Sequence, residues 1–540
     1  TLAVSIFISG VNALTLTPVL CTLILKAHDH HAKETLLTRF FKAFNNGFDK
    51  VTFGYTSILR KFATRKVVTL GLLVVFYVLA FGMAKIVPSG FIPMEDQGMV
   101  YIDVKTPPGA TVDRTSSVLD EITRVAKSME GVDNVTTLAG YSIVTEIAGS
   151  SFGMGMVNLK KWEERDFDVT KFIEDLKKNL SHISDADIEI FAPPTVPGFG
   201  NTSGYELRFK DRSRVSVDQM DKVNREFIQA LNAAPELSNN FTSFDASYPQ
   251  YMLNIDYDLA AKKGVSVENA MSTLETYLGS YYATNFIRFQ QMYKVMVQAS
   301  PEYRRNPESI LSLYTKNDKG EMVPYSTFMT LERIYGPEIL TRYNMYSSAM
   351  INGEPAPGYS SGQAIAAVEK IADEKLPRGF EIEWSGMTRE EILSGNQTVY
   401  IFGLCILFVY LVLSAQYESF LIPFSVLLGL PTGLFGAYFL LYLTGLQNNI
   451  YAQVAVVMLI GLLAKNAILI VEFALARYHE TGEIYEAAIE GAKERFRPIL
   501  MTSFAFIAGL VPLCIASGAG AVGNRSIGTA AAGGMLLGTL

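Results

Sequence analysis

The chain is apolar at both ends and polar in the middle. Residues 67–84 carry no charge, nor do 397–417, and each stretch is long enough to cross about 30 Å of hydrocarbon as a helix. From Ser419 to Ala464 there is no Asp, Glu, Lys, Arg or His. The polar break Thr444-Gly445-Leu446-Gln447-Asn448-Asn449 divides that stretch into spans over 420–442 and 450–473, and 498–517 makes another. With the apolar runs 1–25 and 527–540, the pattern predicts seven transmembrane helices, two before residue 90 and five after residue 396. Both end runs read as interior to a longer protein. Thr1 brings no initiator Met or charged n-region, and the last run is shorter than the roughly 20 residues a span needs.

The polar middle changes period. Alternation marks strands at 99–105, 132–138, 154–159 and 188–192, and helical spacing marks 112–129 and 169–183. That order, βαββαβ, is the split βαβ or ferredoxin-like unit. A second copy follows the loop Pro193–Gly200: strand 205–209, helix 217–231, strands 241–244 and 251–255, then helix 362–374 and strand 380–384. The halves of this copy are separated by an insert over 258–342 with its own helix, 267–278, and a hairpin around 292–298. The expected fold is therefore an α-helical polytopic membrane protein with a large α+β exported region, two ferredoxin-like porter-type subdomains and an inserted docking or cap piece. Its parts are a first helix (1–26), a loop with an amphipathic helix (27–66), a second helix (67–87), subdomain 1 (97–200), subdomain 2 (203–257 and 343–392), the insert (258–342) and five helices (397–540), the last truncated.

Composition agrees with a membrane protein: 49% of the 540 residues are hydrophobic and 18% charged, and the mean hydropathy is +0.21. A net charge of −7 offers no basic excess for nucleic acid. Cys21, Cys405 and Cys514 all lie in apolar runs, which reads as small core residues rather than a disulfide framework. With no Gly-Lys dipeptide there is no P-loop, so an ATP site of that type is excluded, and no HExxH or CxxC occurs. Nine Lys/Arg against three acids between Lys26 and Lys66 place that loop on the cytoplasmic side. Its helix, 36–59, gathers Phe40, Phe41, Phe44, Phe48 and Phe53. Counting spans forward puts residues 88–396 on the opposite side and the second basic loop, Arg477 to Arg497, on the same side as the first.

Ionisable residues inside spans are the informative ones, because a charge at bilayer depth costs at least about 2.5 to 3.5 kcal/mol on insertion scales. Lys465 sits deep in an apolar run, with Asn466 beside it and Glu472 two turns on. In the next span Arg495 precedes Thr502 by two turns. An ammonium, a hydroxyl and a guanidinium so placed suit a proton relay, with Asn466 and Glu472 in support, while a snorkelling lysine and a positive-inside arginine are the plainer readings. No deep acidic partner for Lys465 is present, so its carboxylate is expected outside this chain. His28-Asp29-His30-His31 reads as a solvated loop, and Met154 and Met156 as apolar strand residues rather than soft-metal ligands. The glycine-rich stretch Gly140–Gly153 is expected to be a loop between strands and an adaptable binding wall.

Several motifs in order resemble those of one family: Leu16-Thr17-Pro18-Val19-Leu20-Cys21, Val87-Pro88-Ser89-Gly90-Phe91-Ile92-Pro93, Ser394-Gly395-Asn396-Gln397, Tyr417-Glu418-Ser419 with Ile422-Pro423-Phe424-Ser425-Val426, Ala464-Lys465-Asn466-Ala467-Ile468-Leu469-Ile470-Val471-Glu472-Phe473, and Arg497-Pro498-Ile499-Leu500-Met501-Thr502-Ser503. The chain resembles the C-terminal half of hydrophobe/amphiphile efflux transporters of the resistance-nodulation-division superfamily, acriflavine-resistance type. The resemblance implies a proton-driven homotrimeric exporter in the inner membrane of a Gram-negative bacterium, working with a periplasmic adaptor and an outer-membrane channel on small amphiphilic substrates. It implies no cofactor and no metal. Lys465 and Thr502 match relay positions and Arg495 a basic residue associated with them; the paired aspartates belong to a span outside this chain. The binding wall would comprise Tyr141, Ile143, Val144, Phe152 and Met156, less aromatic than in the family's better-known members. A soft-metal exporter of the same superfamily, or a protein-translocation or sensory scaffold, are the alternatives.

Overall fold

The computed structural model describes residues 2–24 and 36–539, and the histidine-rich loop 28–31 lies outside the described residues. By contacts the chain forms two compact units, Thr1–Leu72 with Leu469–Ile499 and Leu73–Ile468 with Leu500–Leu540. The elements run α1 (Leu2–Ile24), α2 (Leu36–Thr64), α3 (Lys66–Ile86), β1 (Met99–Lys105), α4 (Val112–Ser128), β2 (Val132–Ser142), β3 (Ile147–Leu159), α5 (Val169–Leu180) and β4 (Asp187–Phe191). Then follow β5 (Tyr205–Asp211), α6 (Val217–Asn232), β6 (Leu237–Thr242), β7 (Tyr248–Ile255), α7 (Tyr257–Lys262), α8 (Val267–Leu274), β8 (Tyr281–Arg288), β9 (Gln291–Val297), β10 (Tyr314–Lys316), β11 (Met322–Pro324), β12 (Met329–Gly336), β13 (Thr341–Tyr343) and β14 (Tyr346–Pro355). The remainder is α9 (Ser361–Lys375), β15 (Phe380–Ser385) and six helices, α10 (Gly386–Tyr417), α11 (Ile422–Leu427), α12 (Leu430–Leu443), α13 (Ile450–Thr481), α14 (Ile484–Cys514) and α15 (Ala521–Thr539).

In the first unit, α2 is longer than the expected 36–59 and turns Phe48 onto Phe496, while Phe40, Phe41, Phe44 and Phe53 stay exposed. Tyr55 stacks on Phe496 at 4.3 Å, Arg60 pairs with Glu486 at 3.1 Å, and Arg497 donates to Asn45 at 3.0 Å. The two basic segments are thus joined to each other. Cys21 is exposed on α1 instead of lying in a core, and Cys405 and Cys514 are half-buried.

In the second unit the first sheet has strand order β2-β3-β1-β4, antiparallel throughout. Val100, Ile102 and Val104 of β1 face α4 and α5, which supply Leu119, Ile122, Phe172 and Leu176 to a dry core. Alternation forces Tyr101, Asp103 and Lys105 to the other face. Thr111 and Asp168 cap α4 and α5 through their side-chain oxygens. The second sheet is β13-β14-β5-β15 with β6 also on β14, closed by α6 and α9 around Leu207, Phe209, Phe227 and Val368.

Two expectations fail here. Residues 251–255 do not join the second sheet: β7 pairs with β12 in a separate ribbon, and β14 takes the place beside β5. The insert therefore begins at Tyr248 on its outgoing stem and ends with Gly336, not at 258 and 342. The small, weakly alternating run Ser347–Gly353 disguised β14, whose side chains are nevertheless mostly buried. Gly140–Gly153 is not a long loop either, because β2 continues to Ser142 and β3 starts at Ile147. The ladder shifts register between Ala139 and Tyr141, where Gly140 takes a φ of 91°.

Six helices among the described residues are long and apolar enough to cross a bilayer: Phe7–Ile24, Lys66–Ile86, Val399–Tyr417, Ile422–Leu443, Ile450–Thr481 and Ile484–Cys514. The fourth is two pieces, α11 and α12. The seventh expected span is not among the six. α15 starts at Ala521, ahead of Asn524 and Arg525, and buries its run Ala530-Ala531-Ala532-Gly533-Gly534 against α12 and α13.

Candidate functional site

The first candidate site lies where α13, α14 and α15 meet. Ala452, Ala455, Val456, Leu459, Ile460 and Leu463 form the buried stripe of α13. Continuing that stripe by seven residues from Leu459 reaches Asn466, so the helix delivers an amide into its packed face. Asn466 Nδ2 donates to Ser503 Oγ of α14 at 3.4 Å, and Thr539 Oγ1 of α15 donates to the same oxygen at 3.0 Å. Asn466 and Ser503 are buried. The track brings the two backbones together one residue from Lys465 and one from Thr502. Lys465, about 100° around the helix from Asn466, is exposed along the apolar surface, and no ion pair joins it to a carboxylate among the described residues. Thr502 and Glu472 are exposed too. The expected face shared by Lys465, Asn466 and Glu472 is thus divided, Asn466 inward and the two charges outward. Arg495, in the first unit, is half-buried with its guanidinium 4.1 Å from the Phe473 ring centroid.

The second candidate is a cleft of about 520 Å³ between the two sheet subdomains. The Ile143–Glu146 turn forms part of its wall and is held by Asp103, whose carboxylate accepts from Ser142 Oγ at 3.2 Å and Ile143 N at 2.9 Å. Asn201 Nδ2 binds the same turn through Glu146 at 3.2 Å. Of the expected wall, Val144 and Phe152 line the cleft and both are buried; Tyr141, Ile143 and Met156 do not line it. Sequence reasoning did not anticipate the charges around it. Lys105 pairs with Asp245 at 3.5 Å and Arg208 with Glu206 at 3.2 Å, all four lining the cleft.

Behind the turn, Asp103 sits directly across the strand pair from Glu189. Burial raises both acids, Glu189 to about 7, with Lys177 opposing the shift and Asp187, Asp103 and Glu354 adding to it. Burial likewise raises Glu354, which accepts from Ser203 Oγ at 3.0 Å. Lys177, which donates to Asn239 at 2.8 Å, is the cation that opposes the shift at both Glu189 and Glu354, and burial outweighs it.

The sequence profile of the AcrB/AcrD/AcrF family matches residues 1–540. The chain belongs to this family. The multidrug/solvent efflux pump membrane transporter MepB of Pseudomonas putida is 39% identical over 540 residues, covering 99% of this chain and 51% of its own length. The toluene efflux pump membrane transporter TtgB of P. putida strain DOT-T1E matches with the same identity and coverage. The multidrug export protein AcrF of Escherichia coli K12 is 36% identical over 553 residues, covering 100% of this chain and 52% of AcrF. The chain spans about half the length of the curated relatives it matches.

In this AcrB/AcrD/AcrF family member, Ser503 and Thr539 are the residues of the helix cluster that sequence reasoning left without a role. A usable signal existed for Ser503: a hydroxyl in an apolar helix beside Thr502, opposite an amide on a buried stripe. For Asp103 and Glu189 the signal was charge on the outward positions of strands whose inward positions are all aliphatic.

Proposed function

We propose that this chain works in a proton-motive-force-driven exporter, a drug/proton antiporter for hydrophobic and amphiphilic compounds and the inner-membrane component of a tripartite system. The observation that carries the reading is Lys465, a cation midway along an apolar helix and one residue from the buried Asn466–Ser503–Thr539 track. An ammonium that pairs with ionised carboxylates loses that partner when they take up protons, and the change in buried charge biases helix packing between two arrangements. The carboxylates would come from the span that the family resemblance places outside this chain. Thr502 and Arg495 would complete the relay, with Asn466 and Glu472 in support. The names of the relatives, pumps for multiple drugs, solvents and toluene, favour the cargo class.

The helices would lie in the inner membrane of a Gram-negative cell and the sheet region in the periplasm. Residues 97–200 and the sheet closed by β5, β6, β14 and β15 would be porter subdomains, and the insert carried by β7 and β12 a docking piece. The assembly would be a homotrimer joined to a periplasmic adaptor and an outer-membrane channel. The loop carrying Pro88 to Phe91 is bonded to Asn448 and Ile450, which supports one common side for both segments, as the charge bias of the short loops requires.

Accumulation of a fluorescent amphiphilic dye in efflux-deficient cells expressing the complete gene tests this reading. Wild type is expected to lower dye, a protonophore to cancel the effect, and Lys465→Ala to export nothing measurable at equal membrane abundance. Equal export by both proteins would make Lys465 structural and end the proposal.

A further inference from the structure

α15 carries polar contacts at its first turn and at Thr539 that lead in opposite directions. At its start the backbone N–H groups of Val522 and Gly523 donate to the two oxygens of Glu95 at 3.2 and 2.8 Å, and Glu95 is only 8% exposed. The carboxylate satisfies amides of the first turn and meets the positive end of the helix dipole. The next residue turns the other way. Asp96 accepts from Arg165 Nη2 at 2.8 Å and from the backbone N–H of Val169, the first residue of α5, at 3.1 Å. Its carbonyl accepts from Trp162 Nε1 at 3.1 Å, and the Trp162 ring lies against Gly518 in the loop entering α15. Two adjacent acids therefore hold the beginning of a bundle helix and the beginning of a helix in the first sheet subdomain.

Further along α15, Thr539 donates to Ser503 Oγ beside Thr502 and so reaches Asn466 beside Lys465. Between Gly523 and Thr539 the helix rises about 24 Å at 1.5 Å per residue. Its Gly533 lies against the Gly436 carbonyl and Leu440 of α12, and its Gly534 against the Gly433 carbonyl and Leu459 of α13, so this stretch of the helix is packed with no slack for a displacement.

We propose that α15 transmits the state of the Lys465 region to the first sheet subdomain, with Ser503–Thr539 as one joint and Glu95–Asp96 as the other. The inference rests on the proton-coupled reading above. Glu95, Asp96, Ser503 and Thr539 are positioning residues: they act through the helices they hold. A helix fixed in this way passes on a shift of ångström size as a rigid body, which is how packed elements carry switching transitions.

The test is a kinetic double-mutant cycle in the complete transporter, at matched membrane abundance in efflux-deficient cells, with dye export measured against dye concentration. Glu95→Gln keeps the shape of the side chain but removes its charge, and Thr539→Val removes the hydroxyl. Each is expected to lower the maximal rate about five- to tenfold with the half-saturating concentration unchanged, and the double variant to be no slower than the slower single one. Two breaks in one series link can do no more. Losses that multiply in the double variant, a change confined to the half-saturating concentration, or full rates in both single variants overturn the proposal. Lys465→Ala is run alongside: normal export by that variant removes the proton-coupled reading itself, a different failure. Should Glu95→Gln not reach the membrane, Asp96→Asn takes its place in the cycle with the same expected and overturning results.

Discussion

Glu189 shows how much a single outward strand position can carry. Its carboxyl is pushed up from 4.5 to about 7, first by burial and then by its acidic neighbours. Between those two values the folded protein holds a proton that the unfolded chain has released. Stability contributed by this group is therefore complete below about pH 4.5 and is lost as pH rises through 7. The upper limit is about 3 kcal/mol, since one pKa unit corresponds to about 1.4 kcal/mol. Asp103 and Glu354 are shifted in the same direction and add to the trend. Glu189→Gln stays neutral at every pH, so it is expected to be the more stable protein at pH 8 and to match wild type at pH 4. Thermal unfolding of the detergent-solubilised protein at the two pH values measures this. A variant less stable than wild type at pH 8 would mean that the ionised form is compensated.

At the scale of elements, the packing of α15 on α12 is the feature least visible in the chain. A short apolar run after Arg525 reads as part of a lipid-facing span, whereas the helix begins earlier, capped by Glu95 from a distant loop. Small residues decide the contact. A Cβ at Gly533 would meet Leu440 Cβ at 2.6 Å and the Gly436 carbonyl oxygen equally closely, so the two backbones touch. Gly533→Val should cost about 1 to 3 kcal/mol by overpacking, read as a lower unfolding midpoint in detergent. Gly509 of α14 has open space around its Cβ position, and Gly509→Ala should leave the midpoint unchanged or raise it slightly.

For the whole molecule, the sequence made legible what depends on period and composition. Apolar runs located the helices of α3, α10, α13 and α14, and alternation located β1, β4, β5 and β15 to within a few residues. It also singled out Lys465, because charge inside an apolar run stands out without any contact information. It could not show which strands pair: β7 alternates like a sheet strand but serves as a stem, and β14 alternates poorly yet occupies a central position. Partner choice is a long-range matter, and so are Ser503, Thr539 and the cap at Glu95. The same separation of local from long-range order predicts how the molecule comes apart. The insert carried by that stem has its own core, built on Ala260, Leu274, Val323, Tyr325 and Phe328, distinct from the cores of the two sheets. Tyr325 is fully buried and donates to the carbonyl of Ala270 at 2.6 Å. Tyr325→Phe removes that hydrogen bond at a cost of about 0.5 to 1.5 kcal/mol. Because opening is expected to be local to a unit with its own core, hydrogen exchange should quicken in residues 257–328 and stay unchanged in β1, β3 and β5. Faster exchange across all three regions would show instead that the insert and the sheets unfold as one.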